Sequence, residues 1–174
     1  MSTNFTIAAI AAFATASAAM AQPTAGPTDP QIAHIAYTAG VLDVAAAKQA
    51  LQKSKNAQVR DFAEEMIRDH TAVNDEALAL VKKLHVTPQD NPTSQALTAS
   101  ANQKLHDYAA LSGHAYDVAY ATNEVAYHKT VNGALATVLI PNARNAELKS
   151  LLQTGLKLFQ EHQLHAEHLA MSVK

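Results

Sequence analysis

The chain has 174 residues, of which 48% are hydrophobic and 16% charged, with a net charge of −2; that balance fits one folded domain and excludes a disordered chain. It contains no Cys, which removes disulfides, thiol catalysis, iron–sulfur ligation, covalent c-type haem and lipid attachment through Cys, and it has no basic surplus to hold nucleic acid or an anionic membrane. Nine His stand out against that composition, since imidazoles titrate near pH ~6.5 and mild acid would make the chain cationic.

Residues 1–21, "MSTNFTIAAIAAFATASAAMA", carry no charged side chain and end in the small-x-small pattern "AMA". They predict a cleavable export signal with a mature start at Gln22, hence a periplasmic or secreted protein. Their apolar run is shorter than the ~20 residues needed to cross a bilayer, and nothing later in the sequence is apolar enough to span one. Residues 22–30, "QPTAGPTDP", read as a linker, and 31–174 as the folded domain.

Asp29-Pro30 offers an N-cap followed by Pro at the first helical position, opening a helix over 31–54. Asn56 starts a second over 57–85. Residues 93–111 predict a weaker, Ser-, Asn- and Gln-rich helix inside a long connection that Gly113 ends. Two long helices follow, over 114–140 and 145–172, divided at Pro141. No period-2 alternation occurs, so no sheet is expected. Four long helices with one long, partly helical crossover between the second and third predict an all-α four-helix bundle, with up-down-up-down connectivity as the alternative.

Turning each residue by about 100° sorts the helix faces. On the second helix Val59, Phe62, Ala63, Met66, Val73, Ala77 and Leu80 share the apolar arc; His70 lies inside it and Asp69 at its edge. On the third long helix Asp117, Glu124 and His128 form a stripe about 40° wide on the apolar side, beside Tyr120, Tyr127, Val131, Leu135 and Val138. The last helix centres His162 on its inward face, leaving His168 in solvent and His165 marginal, one turn from Glu161. In the first helix Asp43 interrupts an Ala stripe, where Tyr120 is one candidate hydrogen-bond partner.

Inward carboxylates and imidazoles at mid-height are how bundles build metal sites. His70, Asp117, Glu124, His128 and His162 are therefore candidate ligands, with Asp43, Asp69 and Tyr120 in support. The Glu-x-x-His pair of di-iron bundles is absent, since Ile67 precedes His70 by three and Phe159 precedes His162 by three. Three imidazoles with one or two carboxylates point to zinc, copper or a single iron.

The stretches "VRDFAEEMIRDH" and "LSGHAYDVAYATNEVAYH", with the His162 region, resemble the bacterial family named domain of unknown function 4142, over about 32–169. The resemblance implies a ferritin-like, exported protein without an established activity, and marks Met66, Asp69, His70, Asp117, Tyr120, His128 and His162. Two departures stand out: Leu156-Lys157-Leu158-Phe159 where the family often has Leu-Pro-x-Leu, and Asp43 where it often has Glu. Two functions compete. One is a structural or stress-related bundle whose buried His and Asp bond one another; the other is a metal-binding protein. Non-covalent haem through Met66 and a His is a third, thinner possibility. No Ser or Cys nucleophile stands in a motif and no Gly-rich phosphate loop occurs, so no catalytic residue is assigned and hydrolysis is not expected, while an oxidoreductive metal site stays open. Partner and substrate stay open, as does a homo-oligomer.

Overall fold

The computed structural model describes residues 26–174, and these are all-α, with no strand among them. The predicted signal segment and residues 22–25 of the linker lie outside the described residues. Helix α1 spans Asp29–Lys53, α2 Ala57–Lys83, α3 Pro92–Ala109 and α4 Gly113–Ala134. A π-helical turn, Leu135–Leu139, leads into the short α5 (Ile140–Asn142), and α6 spans Ala146–Ser172.

Side-chain caps set most of the starts. Asn56, Asn91 and Asn145 each accept from two backbone N–H groups of the helix that follows, which satisfies donors no intrahelical carbonyl can reach. Helix α1 differs from expectation. Thr28 is its N-cap residue, and Asp29 accepts instead from the backbone N–H groups of Arg144 and Asn145, at 2.8 and 2.9 Å, tying the start of α1 to the start of α6.

Cross-helix bonds fix the directions. Gln89 N–H donates to the Pro30 carbonyl at 3.0 Å, while Gln49 Nε2 and Lys53 Nζ donate to the carbonyls of Leu105 and Ala109, so α3 runs parallel to α1. Helix α4 returns along α1, with the Tyr116 hydroxyl near Gln49 and the Tyr127 hydroxyl on the Ala39 carbonyl at 2.8 Å. Helices α2 and α4 therefore run parallel, joined by the crossover α3, which excludes up-down-up-down.

Proline accounts for the π turn. Pro141 has no N–H and its ring clashes with the carbonyl four residues back, at Thr137; the helix widens just before it, with Ile140 N–H bonding to Leu135. The extra residue shifts the register. Leu139 is buried, and Val138, expected on the inward face, is 41% exposed.

Two apolar clusters fill the interior. One packs Ala47, Val59, Phe62, Met66, Tyr116, Tyr120 and Leu169; the other packs Ile32, Ile35, Leu135, Leu139, Leu148, Leu152 and Phe159. Between them lies a buried polar layer containing Asp43, His70, Glu124, His128 and His162.

Candidate metal centre

Each long helix contributes to the layer at mid-height. Asp43 (α1) places Oδ2 3.3 Å from His70 Nε2 (α2) and 3.5 Å from His128 Nε2 (α4). His162 (α6) closes the far side, its ring centroid 5.3 Å from that of His70 and 5.6 Å from that of His128. Glu124 lies one turn before His128, with Oε2 3.7 Å from His128 Nδ1. Two ligand sets result, His70–His128–His162 and Asp43–Glu124–His128; in each, one ligand atom per residue lies within 4.8 Å of the others.

Hydrogen bonds outside the layer fix how two of the imidazoles face it. His128 Nδ1 lies 3.0 Å from the Glu124 backbone carbonyl, which can only accept, so Nδ1 carries the proton and Nε2 presents a lone pair toward Asp43. His162 Nε2 lies 3.1 Å from Asp69 Oδ2; with the proton on Nε2, Nδ1 is left as the lone-pair atom. A ligating imidazole is ordinarily held this way, its other nitrogen donating to a carbonyl or carboxylate. His70 stacks on Phe159, centroids 4.5 Å apart and planes 11° apart, and neither of its nitrogens is bonded.

Seven buried atoms of the layer lack a hydrogen-bond partner: both oxygens of Asp43, both nitrogens of His70, Glu124 Oε2, His128 Nε2 and His162 Nδ1. Each such atom costs about 1–3 kcal/mol. Asp43 Oδ2 stands within 3.5 Å of two imidazole nitrogens, but the geometry completes a hydrogen bond to neither.

Burial disfavours the charged forms in the layer. Burial raises the Asp43 carboxyl to about 7, and burial together with the nearby Asp43 charge raises Glu124 well above the usual carboxylate range. Burial lowers His128 to about 4, against the pull of its backbone hydrogen bond, and lowers His70 to about 2, helped by repulsion from His128 and His162. His162 is also lowered by burial, against the pull of Asp69. Asp69 behaves differently: its partial burial acts to raise it, but hydrogen bonds from Arg68 and His162 outweigh this and hold it below its usual range.

Four of the five predicted ligands meet here; Asp117 does not. It shares the angular stripe of Glu124 but stands seven residues before it, about 10.5 Å along the helix axis, farther than one ion can bridge. Its Oδ1 is buried and unpartnered, outside both ligand sets. Of the supporting residues, Asp43 moves to the centre, Asp69 orients His162, and the Tyr120 hydroxyl is unpartnered and not bonded to Asp43. His165 pairs with Glu65 of α2 rather than with Glu161, at 3.1 Å. Glu65 escaped the sequence reading, although its i, i+4 spacing from Asp69 puts both carboxylates on one edge of α2. A cavity of about 230 Å³ between α1, α3 and α4 ends on Asp43, Tyr120 and Glu124.

Fold and site define an all-helical bundle protein with a buried histidine–carboxylate centre. No helix among the described residues is long and apolar enough to cross a membrane. The chain belongs to the family described as Domain of unknown function (DUF4142), which matches residues 14–169. Neither curated proteins nor solved structures show a match to it.

Proposed function

We propose that the chain is an exported metal-binding protein of ferritin-like build, holding one transition-metal cation among His70, His128, His162 and Asp43, with Glu124 behind Asp43. The single observation that carries this reading is the convergence of seven unpartnered buried atoms on one layer. A trapped water bonds about three groups, fewer than that layer presents. A cation accepts lone pairs from imidazole and carboxylate together and offsets the carboxylate charge that burial otherwise suppresses. The donor set suits zinc, copper or a single iron. Parallel α2 and α4 joined by a full-length crossover support the ferritin-like comparison. Export, to the periplasm or out of the cell, is supported by the uncharged leader and its "AMA" terminus.

Metal analysis of protein purified without chelator or affinity-tag metal tests the site, with about one ion per chain expected. Because a ligand specific to the folded state stabilises it by about 2.7 kcal/mol at a hundredfold excess over Kd, chelation should lower the melting temperature. His168→Ala, on an exposed residue, should leave that effect intact. Protein that carries no ion, and whose melting is unmoved by zinc, copper or iron, has no such centre; a purely structural bundle is then the reading left.

A further inference from the structure

At the seam between α2 and α6 a second ligand set leads inward from the surface. Side-chain exposure falls stepwise along it, from 51% at His165 and 25% at Glu65 to 17% at Asp69 and 1% at His162. His165 Nδ1 holds both Glu65 oxygens at 3.1 Å, and one ligand atom each from Glu65, Asp69 and His162 lies within 4.8 Å of the others. Ligand atoms around a tetrahedral ion at ~2.0–2.2 Å stand about 3.4 Å apart, so small side-chain movements bring these three onto one ion.

His162 belongs to this outer set and to the buried one. Its Nε2 faces Asp69 and its Nδ1 has no partner. A neutral imidazole carries one proton, so only one of its nitrogens ligates at a time. The two positions therefore alternate around a single ring.

We propose that Glu65, Asp69 and His162 form a loading position where a divalent transition-metal cation binds before passing to His70, His128 and Asp43. This rests on the inner centre binding a cation. On passing inward the ion exchanges Nε2 of His162 for Nδ1, one proton leaving Nδ1 and one being taken up at Nε2, where Asp69 accepts the hydrogen bond. Arg68 guards the step: its guanidinium donates to both Asp69 oxygens, at 2.7 and 3.0 Å, and an incoming ion displaces it.

Stopped-flow uptake of cobalt(II), read by its visible absorption, and its release to excess chelator test this in the full chain. Glu65→Gln should slow uptake and release together by about tenfold, because removing a carboxylate from a transit position raises the barrier in both directions and leaves Kd within about twofold. His165→Ala should act in the same sense more weakly, and Arg68→Ala should speed uptake. His128→Ala should abolish tight binding and leave a weak, fast phase that Glu65→Gln removes. Loading through the seam is overturned, with the inner centre intact, if Glu65→Gln exchanges cobalt at the wild-type rate. Should tight binding survive His128→Ala and vanish in Glu65→Gln, the seam is the storage site, and the inner centre and the relay both fall. Wild-type protein that takes up no cobalt overturns both as well.

Discussion

Asp43 Oδ2 sits 3.3 Å from His70 Nε2, yet the two are not an ordinary ion pair, since burial holds the carboxyl up at about 7 and the imidazole in its neutral form. A bound cation favours the charged form that burial opposes, so the carboxyl gives up its proton more readily when an ion is present. Asp43→Asn should therefore change the stability of the metal-free protein by less than about 1 kcal/mol, since shape and neutrality are preserved. The same variant should weaken cation binding at least ~10-fold, the loss expected even for an outer-shell partner. Calorimetric titration beside denaturant melts measures both. Unchanged affinity would remove Asp43 from the ligand set.

His70 lets function and stability be separated. In the metal-free fold its two unpartnered nitrogens are a cost, while its ring packs flat on Phe159. Removing buried polar atoms that have no bonded partner breaks no hydrogen bond and relieves a cost of about 1–3 kcal/mol. His70→Leu should raise the metal-free melting temperature by about 2–4 °C per kcal/mol gained and abolish cation binding. His70→Ala should also abolish binding but destabilise through the cavity it leaves. Chelator should move the melting of neither variant, and His70→Leu retaining a metal-dependent shift would contradict the assignment.

Opposing titrations set the pH dependence of the metal-free protein. The three histidines have folded pKa values below the unfolded ~6.5, so below that pH the unfolded chain binds more protons and stability falls as pH drops. Asp43 and Glu124 have folded values above the unfolded ~4, so above that pH the native state binds more protons and stability falls as pH rises, through about 7 for Asp43. Their sum predicts a maximum near pH ~6–6.5, with losses toward 5 and toward 8. Denaturant melts in chelator across that range check it. A steady rise from pH 5 to 8 would mean that the carboxylates are ionised in the fold. Cation binding should instead tighten from pH 6.5 to 8, because the ion displaces carboxylate protons.

How far the sequence reaches is clearest on α4. Its period placed Asp117, Glu124 and His128 on one face, and all three are buried. Angle alone does not report height, and the two turns from Asp117 to Glu124 exclude the former. Asp43 was legible as an inward carboxylate but not as the centre, because its neighbours come from α2 and α4, whose register against α1 is set by packing. The shift from Val138 to Leu139 follows from Pro141, whose effect on the preceding turn could have been foreseen. Glu65 sits about one-quarter exposed beside ordinary surface charges, and only its juxtaposition with His162 and His165 of α6 distinguishes it.

Gly40 offers a test of how tightly α1 and α2 must approach for the centre to form. It lies about one turn before Asp43, and a Cβ built on it would meet Asn74 Oδ1 at 2.4 Å and Cγ at 2.9 Å. Gly inside an exposed helix costs ~1 kcal/mol relative to Ala, so Gly40→Ala would be stabilising were the space open. Here Asn74 is itself buried and its amide occupies that space. Gly40→Ala should thus cost about 1–3 kcal/mol through overpacking. It should also weaken cation binding, since the same displacement draws Asp43 away from His70. In an Asn74→Ala background the obstacle is gone and Gly40→Ala should turn neutral or stabilising, giving a coupling of about 1–3 kcal/mol between the two sites. Thermal melts of the four proteins in the cycle measure it. If Gly40→Ala alone raises the melting temperature, the helices do not meet this closely at Gly40, and Asp43 is not held against His70 by that contact.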